Sequence, residues 1–114
     1  MLAWMAGLHA AAAVATDATS AQRLDNLANR FVREVVTYDL TISYWTGIPT
    51  PNHDRLADRS AKALAAFDAA EAADPAELNG IDATHLSPAS RPAYAVLKEQ
   101  LDSDLQVRVC KAEL

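Results

Sequence analysis

Leu24, Leu27, Phe31, Val35, Tyr38, Ile42 and Trp45 recur along the chain at spacings of three and four, and Ala28 and Val32 widen the stripe. That period belongs to a helix with one apolar face, and it predicts a first helix over about Ser20 to Tyr44. Arg23, Asn26, Asn29, Arg30, Arg33 and Glu34 lie largely on the other side. Ser20 suits the N-cap, and Gly47 and Pro49 stop the pattern. The end of this stretch, Val35 to Trp45, is also the one segment rich in β-branched and aromatic residues.

Pro49 and Pro51 force extended backbone over Thr46 to Asn52. Asn52 or Asp54 then caps a second helix, about Asp54 to Ala73, with Leu56, Ala57, Leu64, Phe67 and several Ala on its apolar side. Asp74-Pro75-Ala76-Glu77 reads as a further helix start. Asp74 would cap, Pro75 would take the first helical position, and Glu77 would close a capping box. Asn79-Gly80 keeps that helix short, and Ile81 to Leu86 is a connector. The last helix begins at Ser87-Pro88 or at Ser90-Arg91-Pro92. Its stripe is Tyr94, Leu97, Leu101, Leu105 and Val109. Lys98 with Asp102, and Asp104 with Arg108, form i,i+4 pairs. Arg108 to Leu114 holds no Gly, Pro or C-cap signal, so the helix is expected to continue into further sequence.

The chain is thus expected to be all-α, with about three main amphipathic helices in an antiparallel, bundle-like arrangement that belongs to a larger helical protein. Composition agrees. Apolar residues make up 51% of the 114 positions, but 25 are Ala, which favours helix and buries little area. The core should be modest. Residues 1–21 form a separate leader and 22–114 the helical segment. Leu2 to Ala15 is apolar apart from His9, and Ala13-Val14-Ala15 and Thr19-Ser20-Ala21 suit cleavage. The leader resembles an export signal, although no Lys or Arg precedes Arg23. It is too short to span a membrane. The expected destination is therefore periplasmic or secreted.

A net charge of −5 without a basic cluster disfavours nucleic acid as a partner. Cys110 has no second Cys to pair with; beside Arg108 and Lys111 its packing is a better reading than a reactive thiol. His9, His53 and His85 are far apart, and no His pair has metal-ligand spacing. Asp68, Glu71, Asp74, Glu77, Glu99, Asp102, Asp104 and Glu113 read as solvated faces, because no pair stands out as the unequal carboxyls of acid–base chemistry. Tyr38, Tyr44 and Trp45 are expected to fill core. No phosphate loop or nucleophile elbow is present, so no catalytic, cofactor-binding or metal residue is assigned.

Leu105-Gln106-Val107-Arg108-Val109-Cys110-Lys111-Ala112-Glu113-Leu114 is the most distinctive run, preceded by Arg91-Pro92-Ala93-Tyr94, Leu97 and Leu101. It resembles the N-terminal region of a bacterial family, domain of unknown function 885, in which a Leu-Gln-x-Arg-x-Cys-(Arg/Lys) core precedes Glu-Leu. Phe31 and Glu34, Asp54-Arg55-Leu56 with Asp58, and Ile81-Asp82 fit the same region. The resemblance covers about Gln22 to Leu114. It implies a long, mostly helical, often exported protein like the zincin metallopeptidases, whose zinc-binding His-Glu helix lies far downstream. Zinc is therefore implied for a longer protein and for no position here. Arg108, Cys110, Lys111 and Glu113 match the motif without an assigned role; Arg108 and Glu113 are expected to make buried polar contacts with the remainder of the polypeptide. The implied function is a helical scaffold segment of a zinc-dependent peptidase-like hydrolase, with peptide as the whole protein's substrate. The alternative is a free-standing helical interaction module without catalysis.

Overall fold

The computed structural model describes residues 6–50 and 54–111, with side chains over 19–50 and 54–108. Every regular element among them is helical: α1 (Ala6–Tyr38), α2 (Thr41–Thr46), α3 (Ala61–Glu71), α4 (Asp74–Asn79), a 3-10 turn (Ala83–His85) and α5 (Arg91–Lys111). The all-α expectation holds. The expectations for Met1 to Met5, Pro51, Asn52, His53 and Glu113 lie outside the described residues, as do those for the side chains of His9, Val109, Cys110 and Lys111.

The backbone of α1 continues unbroken across residue 21 and stops at Tyr38 rather than Tyr44. Asp39 ends it. Its Oδ1 accepts from the Thr41 backbone N–H at 3.0 Å and from the Thr41 hydroxyl at 2.6 Å, an alternative to continued helical bonding. The Thr41 hydroxyl bond also holds the Asp39 carboxyl below its ordinary pKa. α2 then ends at Gly47, whose φ of 72° only glycine adopts without strain, and whose N–H donates to the Ser43 carbonyl at 2.9 Å. The bend carries Tyr44 and Trp45 outward. They are 70% and 89% exposed, so the expectation that they fill core is corrected.

α3 begins at Ala61, not Asp54, because a local turn intervenes. Asp58 Oδ1 accepts from the Ser60 N–H at 2.9 Å, and Ser60 Oγ accepts from the Ala63 N–H at 3.2 Å. Ser60 is the true N-cap. Ser60→Ala is expected to remove about 1 kcal/mol of stability, measured as a lower urea midpoint at unchanged m-value.

α4 keeps Pro75 in its first turn, but its N-cap is Ala73, without a side-chain bond. The predicted capping box does not form because Asp74 and Glu77 both turn to Arg30 of α1. α5 starts at the second of the two cap-then-proline patterns, with the Tyr94 N–H on the Ser90 carbonyl at 3.2 Å. Lys98 pairs with Asp102 at 2.8 Å as expected, whereas Arg108 reaches α3 instead of pairing with Asp104.

The core is leucine-rich: Leu24 and Leu27 of α1, Leu78 of α4, Ile81 and Leu86 beside the 3-10 turn, and Leu97 and Leu101 of α5. Phe31 and Tyr94 pack against it from the edge. α1 is the common partner, lying against α3, α4 and the 3-10 turn, while α4 also meets α5. α3 adds no side chain to this cluster. Its contact with α1 includes Phe67 stacked on Tyr38, ring centres 4.5 Å apart.

Candidate functional site

Beside the leucine core, four helices send charged groups to one place. Arg30 of α1 is the first hub. Its Nη2 donates at 2.6 Å to Asp74 Oδ1 and at 2.6 Å to Glu77 Oε2, and its Nε lies 3.8 Å from Glu34 Oε1 one turn along. The hydrogen bonds to Glu77 and Asp74 raise the Arg30 pKa further. Arg108 of α5 is the second hub. Its Nη2 donates to Glu71 Oε2, and its Nε lies 3.2 Å from Asp68 Oδ1.

Two of the carboxylates are inside the protein. Glu71 is 1% exposed and Asp74 is fully buried. Charged residues are this buried only when paired, and each has one oxygen on a guanidinium. The other oxygen has no donor. Glu71 Oε1, Asp74 Oδ2 and Glu34 Oε2 are all buried without a hydrogen-bond partner. Burial pushes the Glu71 pKa up to about 7; Arg108 opposes this, while the negative charges of Asp104, Asp74 and Glu34 add to it. Burial and then Asp74 raise Glu34 likewise.

A carboxyl raised this far has the environment of a general acid. The partnerless oxygens here are enclosed, however, and present no surface to a substrate. The cluster ties helices together. It holds no set of three or more His, Cys, Asp or Glu able to bind a metal, nor does any other group of described residues.

A second feature faces solvent. Between α1 and α5 runs an apolar groove of about 760 Å³, walled by Phe31, Val32, Val35, Pro92, Val96 and Leu97. Gln100 and Asp104 are the polar residues on its lining. Val96 is 71% exposed and Val32 37%.

The motif residues from the sequence fall as follows. Arg108 is half-buried and finds partners in this chain, on α3. Cys110 and Lys111 occupy the last turn of α5 in backbone. Glu71 and Asp74 are buried, which corrects the expectation of solvated faces for these two; Asp68 and Glu77 join the same cluster with side chains still 41% and 35% exposed. His85 lies at the end of the 3-10 turn, its Nε2 3.5 Å from Asp82 Oδ2. No described helix is long and apolar enough to cross a membrane.

The sequence reading takes Glu71 for a solvated face and seeks the buried partner of Arg108 outside this segment, although the register of both marks them as a pair. Glu71 continues Leu64 and Phe67 at spacings of three and four. Arg108 continues Leu101 and Leu105 in the same way. A charge in the register of an apolar stripe was the available signal, and on two helices it marked the two ends of one ion pair.

Compared with known proteins, the chain matches no family model, no curated protein and no solved structure.

Proposed function

We propose that the chain is a helical scaffold segment, built to pack against the remainder of its own polypeptide in an exported, zinc-dependent peptidase-like hydrolase. The observation that carries the scaffold role is the groove between α1 and α5. An apolar groove of about 760 Å³ is large for so small a chain, and such surfaces mark contact with another element. Its walls are aliphatic and aromatic, which suits a covering helix or strand. The hydrolase part of the reading rests on the resemblance at Leu105 to Leu114. Catalytic and metal-binding groups would come from outside the described residues, and this segment would support the substrate cleft.

The alternative, a free-standing helical interaction module, is favoured by the leucine core, which closes among α1, α4, the 3-10 turn and α5.

The test begins with the reading frame beyond Leu114. A continuing frame should encode a His-Glu metal-binding helix, and the longer protein should cleave peptide or a related amide and lose activity to chelator. Val96→Asp then discriminates. In the 114-residue chain it should change stability by under about 1 kcal/mol, because Val96 is mostly exposed. In the longer protein it should cost several times more. Equal, small effects in both would overturn the scaffold reading. A stop codon after Leu114 would leave the module.

A further inference from the structure

α3 is attached in an unusual way. Helices normally hold to a domain through a buried apolar stripe. The fully buried residue of α3 is instead Glu71, while Leu64 is 37% exposed and Phe67 is half-buried. Glu71 sits where acidic groups outnumber cations. From α1 it faces Glu34, on which Arg30 and Arg33 act. Asp68 lies on its own helix. Asp74 and Glu77 come from α4, and Asp104 and Arg108 from α5. Asp82 and His85 of the 3-10 turn pair with each other. Glu34, Asp68, Glu71, Asp74 and Glu77 thus share the guanidinia of Arg30 and Arg108, and Asp104 adds a further negative charge. Three of their oxygens, one each from α1, α3 and α4, are buried without a donor.

We propose that Glu71 is a proton-operated latch: with its proton in place it seats α3 against α1 and α5, and losing that proton to solvent releases α3. The inference is independent of any enzymatic role. The chemistry is one proton transfer. The O–H of the Glu71 carboxyl breaks, a solvent base takes the proton, and the electron pair stays on Glu71. The protonated carboxyl keeps an oxygen for Arg108 and adds no negative charge beside Asp74 and Glu34. The ionised form keeps the Arg108 contact but adds its negative charge beside Asp74 and Glu34, whose own buried oxygens lack donors. That cost is relieved by moving Glu71 into water; the apolar side of α3 opposes the movement only through half-buried Phe67, stacked on Tyr38, and not through a fully buried side chain.

The sign follows from proton binding. The folded chain holds the Glu71 proton up to about pH 7, whereas an unfolded glutamate loses it near 4.5. Stability contributed by this group is therefore full below 4.5 and falls as pH rises to about 7, then levels off. Asp39, Asp58 and Asp82, whose values are lowered, act oppositely and withdraw stability in acid. The optimum should be mildly acidic.

The test is thermal unfolding of the full chain with hydrogen exchange of the α3 amides, at about pH 5.5 and about pH 8.5. The expected result is a Tm lower by on the order of 5–10 °C at the higher pH. After correction for the intrinsic exchange rate, α3 should lose protection while the amides around Leu24 to Val36 keep theirs. Glu71→Gln, which mimics the protonated carboxyl, should keep α3 protected at both pH values. An unchanged pH dependence in Glu71→Gln would overturn the latch. If that variant does not fold, the Glu71 side-chain carboxyl is followed by carbon NMR in the wild-type chain. A transition near 7 supports the latch, and one in the ordinary carboxylate range overturns it.

Discussion

Arg30→Met should cost the fold roughly 3 kcal/mol, and no other single change on the charged cluster should cost as much. Arg30 is the donor to Asp74, which is fully buried, and to Glu77. Methionine keeps the apolar stem and removes the charge. Asp74 is then left with both oxygens enclosed and no partner, the situation that makes a broken buried ion pair expensive. Arg30 itself is about a third exposed in its side chain, which places the cost at the lower end of the range for buried pairs. The measurement is urea unfolding of the wild type, Arg30→Met, Asp74→Leu and the double variant. The double variant should be more stable than Arg30→Met alone, because removing both charges removes the stranded one. If Arg30→Met loses under about 1 kcal/mol, the pair behaves as a surface salt bridge and the cluster does not hold α1 to α4.

Much of the fold could be read in the sequence, and the departures share one physical cause. Leu24, Leu27, Leu97 and Leu101 lie where the helical period put them, although spacing alone does not set burial: Val36 and Leu40 are buried outside the stripe, and Leu56 and Leu105 are exposed. The reading failed where a short polar side chain offers the backbone a competing bond. Asp39 captures Thr41 and bends the chain before Tyr44 and Trp45 can reach the core. Asp58 and Ser60 delay α3 by seven residues relative to the expected Asp54. Asp74 fits a capping box in sequence, yet a guanidinium from another helix is a stronger partner than a backbone N–H. That choice depends on Arg30, 44 residues earlier, which no local pattern reveals. The cluster was legible only in register, through Glu71 and Arg108. The groove was hidden for a different reason. Val32 looks like an ordinary stripe residue and Val96 lies outside the α5 stripe, and only the packing shows that α1 and α5 leave a shared apolar surface open to solvent between them.

Leu27→Ala should be the most damaging core substitution, at about 3–5 kcal/mol. Leu27 is fully buried in α1, the helix against which α3, α4 and the 3-10 turn all lie. Shortening it removes apolar area and leaves a cavity that α4 and α5 can close only by moving. Such movement is resisted, because Arg30 on the next turn is pinned to Asp74 and Glu77. Relaxation is thereby coupled to the charged cluster, and the loss should approach the upper part of the range. With seven buried side chains in this core among the described residues, this is a large share of the 5–15 kcal/mol typical of a domain. Leu64→Ala provides the contrast, since Leu64 is 37% exposed and lies outside that core. It should cost under about 1.5 kcal/mol, with the difference read as the gap between the two urea midpoints. Similar losses for both would mean that α3 belongs to the same apolar core as α1, and that its attachment does not depend on Glu71.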